Sequence, residues 1–114
     1  MKQIIAVLMS AACICLFVAI ACSGEGPKKS GEESKVGEEL FKLNCTVCHP
    51  NGGNVINKDK TLLKDDLAEH GVKTPEDIVK LMRNPGPGMR KFDENTISDK
   101  DAKEIANYVL KTFK

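Results

Sequence analysis

The 114-residue sequence predicts an all-α domain over residues 34–114, preceded by an export segment at 1–21 and a tether at 22–33. Three observations carry that expectation. Apolar residues recur at helical spacing toward the C-terminus, Thr74-Pro75-Glu76-Asp77 is a helix start signal, and no stretch alternates apolar and polar residues as a half-buried strand would.

Taken in order, Val36, Leu40 and Leu43 share one face with Gly37 and Phe41 beside them, so a first amphipathic helix is expected over 35–44. A shorter helix is expected over 61–70 around Leu62, Leu63 and Leu67, closed by Gly71. The third begins with Pro75 at its first position and two acids in its first turn. It runs through Ile78, Val79, Leu81 and Met82 and must stop by Asn84, ahead of Pro85. The last, over 99–113, has Ser98 as N-cap with Asp101 three residues on. Ala102, Ile105, Ala106, Val109, Leu110 and Phe113 line its apolar face.

The N-terminus reads as an export signal. Lys2 supplies the positive start, and Ile4 to Ala21 is an apolar run interrupted by Ser10. The run is long enough for a permanent membrane span, which is the competing reading. Its ending, Ala19-Ile20-Ala21-Cys22, resembles the lipobox of bacterial lipoproteins, whose Cys becomes the acylated first residue after cleavage. Ala19 stands where Leu is commonest in that motif. Two or three acyl chains on Cys22 would anchor the domain to a lipid bilayer, because two chains suffice where one is marginal. Cys13 and Cys15 fall in the discarded segment. Ser23 to Ser34 holds three Gly, three Ser and one Pro without an apolar residue, a flexible tether whose reach is roughly 40 Å fully extended.

Charge and size exclude other classes. The chain has 17 Lys+Arg and 16 Asp+Glu, and the export segment carries a single Lys and no acid, so the remainder balances. No nucleic-acid partner is expected without a marked basic excess. A domain this small also has a marginal core and needs a staple: a disulfide, a metal, a cofactor or a partner.

Cys45-Thr46-Val47-Cys48-His49 supplies one. Cys-x-x-Cys-His places two thiols for thioether bonds to a haem and an imidazole for its iron. A zinc site would need four ligands, and Cys45, Cys48, His49 and the distant His70 are all that remain once Cys22 is lipidated. A thioredoxin-like dithiol would need a strand before it, and a plain Cys45–Cys48 disulfide is the remaining alternative. One covalent haem c answers the motif and the size problem together, since an apolar macrocycle enlarges the core.

The second axial ligand has three candidates. His70 closes a short helix among charged residues and suits the helix dipole and solvent. Met82 falls in the apolar stripe of Ile78, Val79 and Leu81, which suits a core residue. Met89 ends Asn84-Pro85-Gly86-Pro87-Gly88, an irregular stretch able to bring one side chain against a flat iron face. The expected cofactor-binding residues are therefore Cys45, Cys48, His49 and Met89, with His49 and Met89 on the metal. Leu62, Leu67, Ile78, Val79 and Leu81 are the expected pocket lining, each also explicable as plain core.

Gly37 and Phe41, the Cys45-x-x-Cys48-His49 motif, Met89 in its Pro/Gly loop, and Ile105 with Tyr108 on a last helix resemble the class I c-type cytochromes. Gly52-Gly53-Asn54-Val55-Ile56, Lys60-Thr61-Leu62, Gly88-Met89-x-x-Phe92 and Ile105-Ala106-x-Tyr108-Val109-Leu110 are similar to the cytochrome c6 branch. The tethered form resembles outer-membrane monohaem cytochromes of metal-reducing bacteria. The resemblance implies a small fold wrapped around one haem, with first and last helices crossing at Gly37 and Phe41 packing on Tyr108. It also implies single-electron transfer to larger redox proteins or multihaem cytochromes through an exposed haem edge. Two departures stand out: Arg90-Lys91 follow Met89 where Pro is common, and Pro50-Asn51 follow His49 where a small residue is usual.

The expected function is a single-electron carrier, not an enzyme, in a membrane-associated respiratory chain. Two protein ligands would leave the iron no open position for substrate. A haem-based sensor or assembly factor with a labile Met89 is the alternative. Ser23 lacks the Asp that retains lipoproteins in the inner membrane, so an outer-membrane anchor facing the periplasm is expected.

Overall fold

The computed structural model describes residues 30–114. The expectations for 1–29, including lipidated Cys22, lie outside the described residues. Four helices follow one another: α1 (Ser30–Asn44), α2 (Lys64–Glu69), α3 (Pro75–Arg83) and α4 (Asp99–Thr112), with a 3-10 turn at Pro50–Gly52. No strand forms among the described residues, so the all-α expectation holds.

Helix α1 starts at Ser30, inside the segment read as tether. Once the packed end of a helix has nucleated, each added residue gains a hydrogen bond, and Glu32 puts an acid in the first turn. Its buried line also differs from the expectation. Val36 and Leu43 are exposed, while Gly37 and Phe41 are buried. The contact with α4 dictates this, because a Cβ on Gly37 would overlap the Glu104 carbonyl oxygen and lie 2.9 Å from Tyr108 Cβ. Only the edge without a side chain lets the two backbones approach so closely. Phe41 then meets Tyr108 at 5.4 Å and Phe113 at 5.3 Å between ring centroids, and Tyr108 and Phe113 stand edge to face.

Helix α2 is shorter than expected. The Thr61 hydroxyl accepts from Leu63 N at 3.2 Å and donates to the Asp66 carboxylate, holding Leu62 and Leu63 ahead of the first turn. Leu63 is extended, with φ −65° and ψ 145°. The turn at Gly71 closes the helix as expected. Helix α3 has a full capping box: Thr74 Oγ1 accepts from Asp77 N at 3.2 Å, and the Asp77 carboxylate accepts from Thr74 N at 3.0 Å. Ile78 and Met82 are its buried residues. Ser98 caps α4 by accepting from Asp101 N, and Ala102, Ile105, Ala106 and Val109 form the buried stripe. Helices α1 and α3 both pack on α4, which leaves the two long loops, 45–63 and 84–98, to build the remaining side of the domain.

Candidate functional site

The site begins where α1 ends. Cys45 N and Thr46 N both bond back to Phe41 O, and the Thr46 hydroxyl donates to Lys42 O at 2.7 Å, so the helical path unwinds rather than breaks. Cys48 N and His49 N return to Cys45 O at 3.1 and 2.8 Å. This tight turn puts both cysteines and His49 on one short arc. Both thiols are free and half-buried, not joined as a disulfide. Burial first, and Cys48 beside it second, push the Cys45 thiol up to about 11.

His49 is oriented by its own loop. Its Nδ1 lies 2.8 Å from Gly53 O. A carbonyl can only accept, so Nδ1 carries the proton and Nε2 presents its lone pair outward. Imidazole ligands to metals are commonly held this way by a backbone carbonyl on the other nitrogen. The departure at Pro50 explains how that carbonyl arrives. Pro50 opens the 3-10 turn, Gly53 N bonds Pro50 O at 2.9 Å, and Asn51 takes φ 53° and Gly52 φ 79°. Gly52 also admits the Phe113 ring, which a Cβ there would meet at 2.5 Å. Beyond it, Asn54 Oδ1 accepts from Ile56 N and Asn57 N, and its Nδ2 donates to Lys60 O at 2.7 Å. Sequence reading missed both the Gly53 carbonyl and this Asn54 bracket. The cue was present, since an Asn at the start of a loop is a turn-former.

The two methionines separate cleanly. Met82 is buried in the core on α3, whereas Met89 is 37 % exposed on the loop that follows. Phe92, itself buried, bonds back to Met82 O at 2.9 Å and closes the loop at its base. Gly88, at φ 93°, approaches Ile56, whose Cγ2 a Cβ would meet at 3.1 Å. The loop that orients His49 and the loop that carries Met89 therefore touch. His70 lies apart at the end of α2, its Nδ1 paired with Asp66 O at 2.8 Å. Arg90 lies over the Phe92 ring, 4.9 Å from its centroid. Of the expected pocket lining, Leu67 and Ile78 are buried, Leu62 and Val79 are half-buried against the core, and Leu81 is exposed.

These residues fit a covalent haem. Two free thiols, an imidazole held by one nitrogen, and exposed Val55, Ile56, Leu81 and Met89 offer attachment, ligation and apolar cover together. Among the described residues no three His, Cys, Asp or Glu side chains gather as a metal site.

Comparison with known proteins agrees. The family model described as cytochrome c oxidase, cbb3-type, subunit III matches residues 32–109. Cytochrome c6 of Gracilaria tenuistipitata var. liui is 40% identical over 74 residues, 65% of this chain and 68% of that protein. Cytochrome c6 of Bumilleriopsis filiformis is 40% identical over 74 residues, covering 65% of this chain and 85% of its own. Among solved structures, the outer-membrane cytochrome OmcF from Geobacter sulfurreducens superposes with TM-score 0.67 at 42% identity, covering 68% of this chain and 99% of that one. Oxidized cytochrome c6A from Arabidopsis thaliana gives TM-score 0.65 at 29% identity, covering 68% and 87%. With fold, motif and relatives in agreement, the chain belongs to the cytochrome c6-like class I c-type cytochromes, carriers of electrons on a single covalently bound haem c.

Proposed function

We propose that this protein is a one-electron carrier of a membrane-associated respiratory chain, with Cys45 and Cys48 as the thioether attachments and His49 and Met89 as the axial ligands. The observation that carries the reading is the His49 Nδ1 contact with Gly53 O, which leaves Nε2 as the free ligating atom. Bound haem supplies a reversible Fe(II)/Fe(III) couple, which a soft thioether ligand biases toward the reduced state relative to a second imidazole. Holding both side chains in place through the redox change keeps structural rearrangement small. The 3-10 turn and the Asn54 bracket do this for His49. For Met89 the work falls to the closed base of its loop, while buried Phe41, Ile78 and Phe92 exclude water from the interior.

Exposed Val47, at 83 %, lies between the two cysteines and suits contact with a larger redox protein or a multihaem cytochrome. The lipobox-like ending at Cys22 supports a lipid anchor, and the resemblance to an outer-membrane cytochrome supports the outer membrane, facing the periplasm.

The test is spectroscopic. The purified ferric protein is expected to show the weak red charge-transfer band of thioether–iron(III), and the reduced protein to bind carbon monoxide negligibly. Met89→Ala should abolish the band and open the iron to carbon monoxide. Met82→Ala should retain the band and instead cost about 2–5 kcal/mol of stability as a buried cavity. Loss of the band in Met82→Ala alone, or a spectrum controlled by His70→Ala, overturns the ligand assignment. Rapid, complete carbon monoxide binding by the wild-type protein makes it the sensor instead.

A further inference from the structure

Loop 84–91 has little of its own to hold it. Within it Met89 N reaches Gly86 O only at 3.4 Å, and apart from half-buried Pro85 its residues are exposed. Its geometry is set at its two ends. At the entry, Arg83 is the last residue of α3, with a side chain only 20% exposed. Its Nη1 donates to Phe92 O at 2.9 Å and its Nη2 to Asp99 Oδ1 at 2.7 Å. One guanidinium thus joins the end of α3, the exit of the loop and the first residue of α4. Among the described residues the one other hydrogen bond across the loop base runs from Phe92 N to Met82 O at 2.9 Å.

We propose that Arg83 is the positioning residue of the electron-transfer site, a clasp whose two-pronged grip holds the Met89 loop closed. This rests on the reading of Met89 as axial ligand. A planar fork can serve a carbonyl and a carboxylate at once, which a lysine ammonium on a flexible stem cannot reproduce in the same geometry. Both bonds are charge-assisted, the stronger class. Asp99 sits in the first turn of α4, where the helix dipole favours its carboxylate, so the anchor point is itself fixed. Without the clasp, Phe92 O loses its partner. The loop then hangs from Phe92 N and the Phe92 ring, with Met89 three residues from that remaining pin. The states in which the thioether leaves the iron should then become more populated, while the core beneath, built on α1 and α4, stays intact.

The experiment uses the full haem-loaded protein and the variants Arg83→Met, Arg83→Lys and Val109→Ala. Val109 is a buried core residue ten positions along α4 from Asp99, about 15 Å by helical rise, and its truncation supplies a destabilised protein with the clasp intact. Two transitions are followed on heating: loss of the red charge-transfer band, which reports Met89 on iron(III), and loss of helical circular dichroism, which reports the fold. In the wild type and Val109→Ala the two should move together. In Arg83→Met the band should vanish well below the unfolding transition. Carbon monoxide binding to the reduced form at room temperature should rise about tenfold, the order expected for losing a charged hydrogen bond that holds one state closed. Arg83→Lys should fall with Arg83→Met rather than rescue it. Coincident transitions in Arg83→Met, or carbon monoxide binding no faster than in Val109→Ala, overturn the clasp while leaving the ligand assignment standing. A wild-type ferric spectrum without the band, unaltered by Met89→Ala, overturns the ligand assignment and the clasp with it.

Discussion

The crossing of α1 and α4 makes a strong quantitative prediction. Placing a methyl on Gly37 sets two effects against each other. Replacing glycine within a helix by alanine gains about 0.8–1 kcal/mol of intrinsic propensity. Against that, the new Cβ overlaps the Glu104 carbonyl oxygen, lies 2.9 Å from Tyr108 Cβ and 3.0 Å from the Glu104 carbonyl carbon. Two of those atoms are helix backbone and the third is fixed to it, so no rotamer change relieves the clash. The helices must separate, and Phe41 loses contact with Tyr108 and Phe113. Overpacking costs about 1–3 kcal/mol, and with backbone as the obstacle we expect more than the upper figure before the propensity gain, hence a net loss of about 2–3 kcal/mol for Gly37→Ala. For a domain of this size that is a fall of about 8–24 °C in Tm. Gly37→Val should be worse, because two further methyls enter the same gap. Gly31 is the internal control: its Cβ would meet nothing within 4 Å, so Gly31→Ala should be neutral or mildly stabilising. Thermal and urea unfolding of the haem-loaded proteins, followed by circular dichroism, measure all three. If Gly37→Ala unfolds at or above the wild-type midpoint, α1 does not approach α4 as closely as the structure has it, and the reasoning fails.

The other predictions concern acid and lipid. Hydrogen bonds from Lys73 N first, then the Thr74 hydroxyl and Thr74 N, hold the Asp77 carboxyl below its ordinary value of 3.8. A depressed folded value means that its stabilisation is complete above 3.8 and is lost as pH falls through the lower folded value. Asp77→Asn should therefore flatten the acid limb of the stability–pH curve, and an unchanged acid limb in urea titrations between neutral pH and strong acid counts against the capping box. Cys22→Ser should strand the protein or release it from membranes while leaving its haem spectrum intact. Membrane fractionation with intact-mass analysis checks this, and a native protein bearing a free Cys22 thiol refutes the anchor.

What the sequence alone determined was the set of elements whose cause is local. Thr74-Pro75-Glu76-Asp77 starts α3 because cap, proline and acids act within one turn, and Ser98 starts α4 for the same reason. The spacing of Cys45, Cys48 and His49 was legible because its chemistry lies within five residues. The assignment of Met82 to the core and of His70 to a helix end followed from neighbours on the same helix, and both hold. Periodicity and caps did not reach contacts between parts of the chain distant in sequence; the crossing of α1 and α4 at Gly37, with Phe41 on Tyr108, was expected only from the resemblance to the class I cytochromes, and it holds. Helical spacing put Val36 and Leu43 on the buried face. The close approach of α4 selected Gly37 and Phe41 instead, because two helices in backbone contact bury the edge where a side chain is missing. Nothing in helical spacing or capping marks Gly53 O as the partner of His49, although it lies only four residues on, because the 3-10 turn that Pro50 opens is irregular. Nor does either mark Arg83, which reads as an ordinary basic residue at a helix end. Its two partners lie nine and sixteen positions away, and only the packing of α3 beside α4 brings them within reach of one guanidinium. Periodicity and caps are energies of neighbours along the chain. The crossing point and the closure of the Met89 loop are energies between neighbours in space, and the tertiary structure decides them.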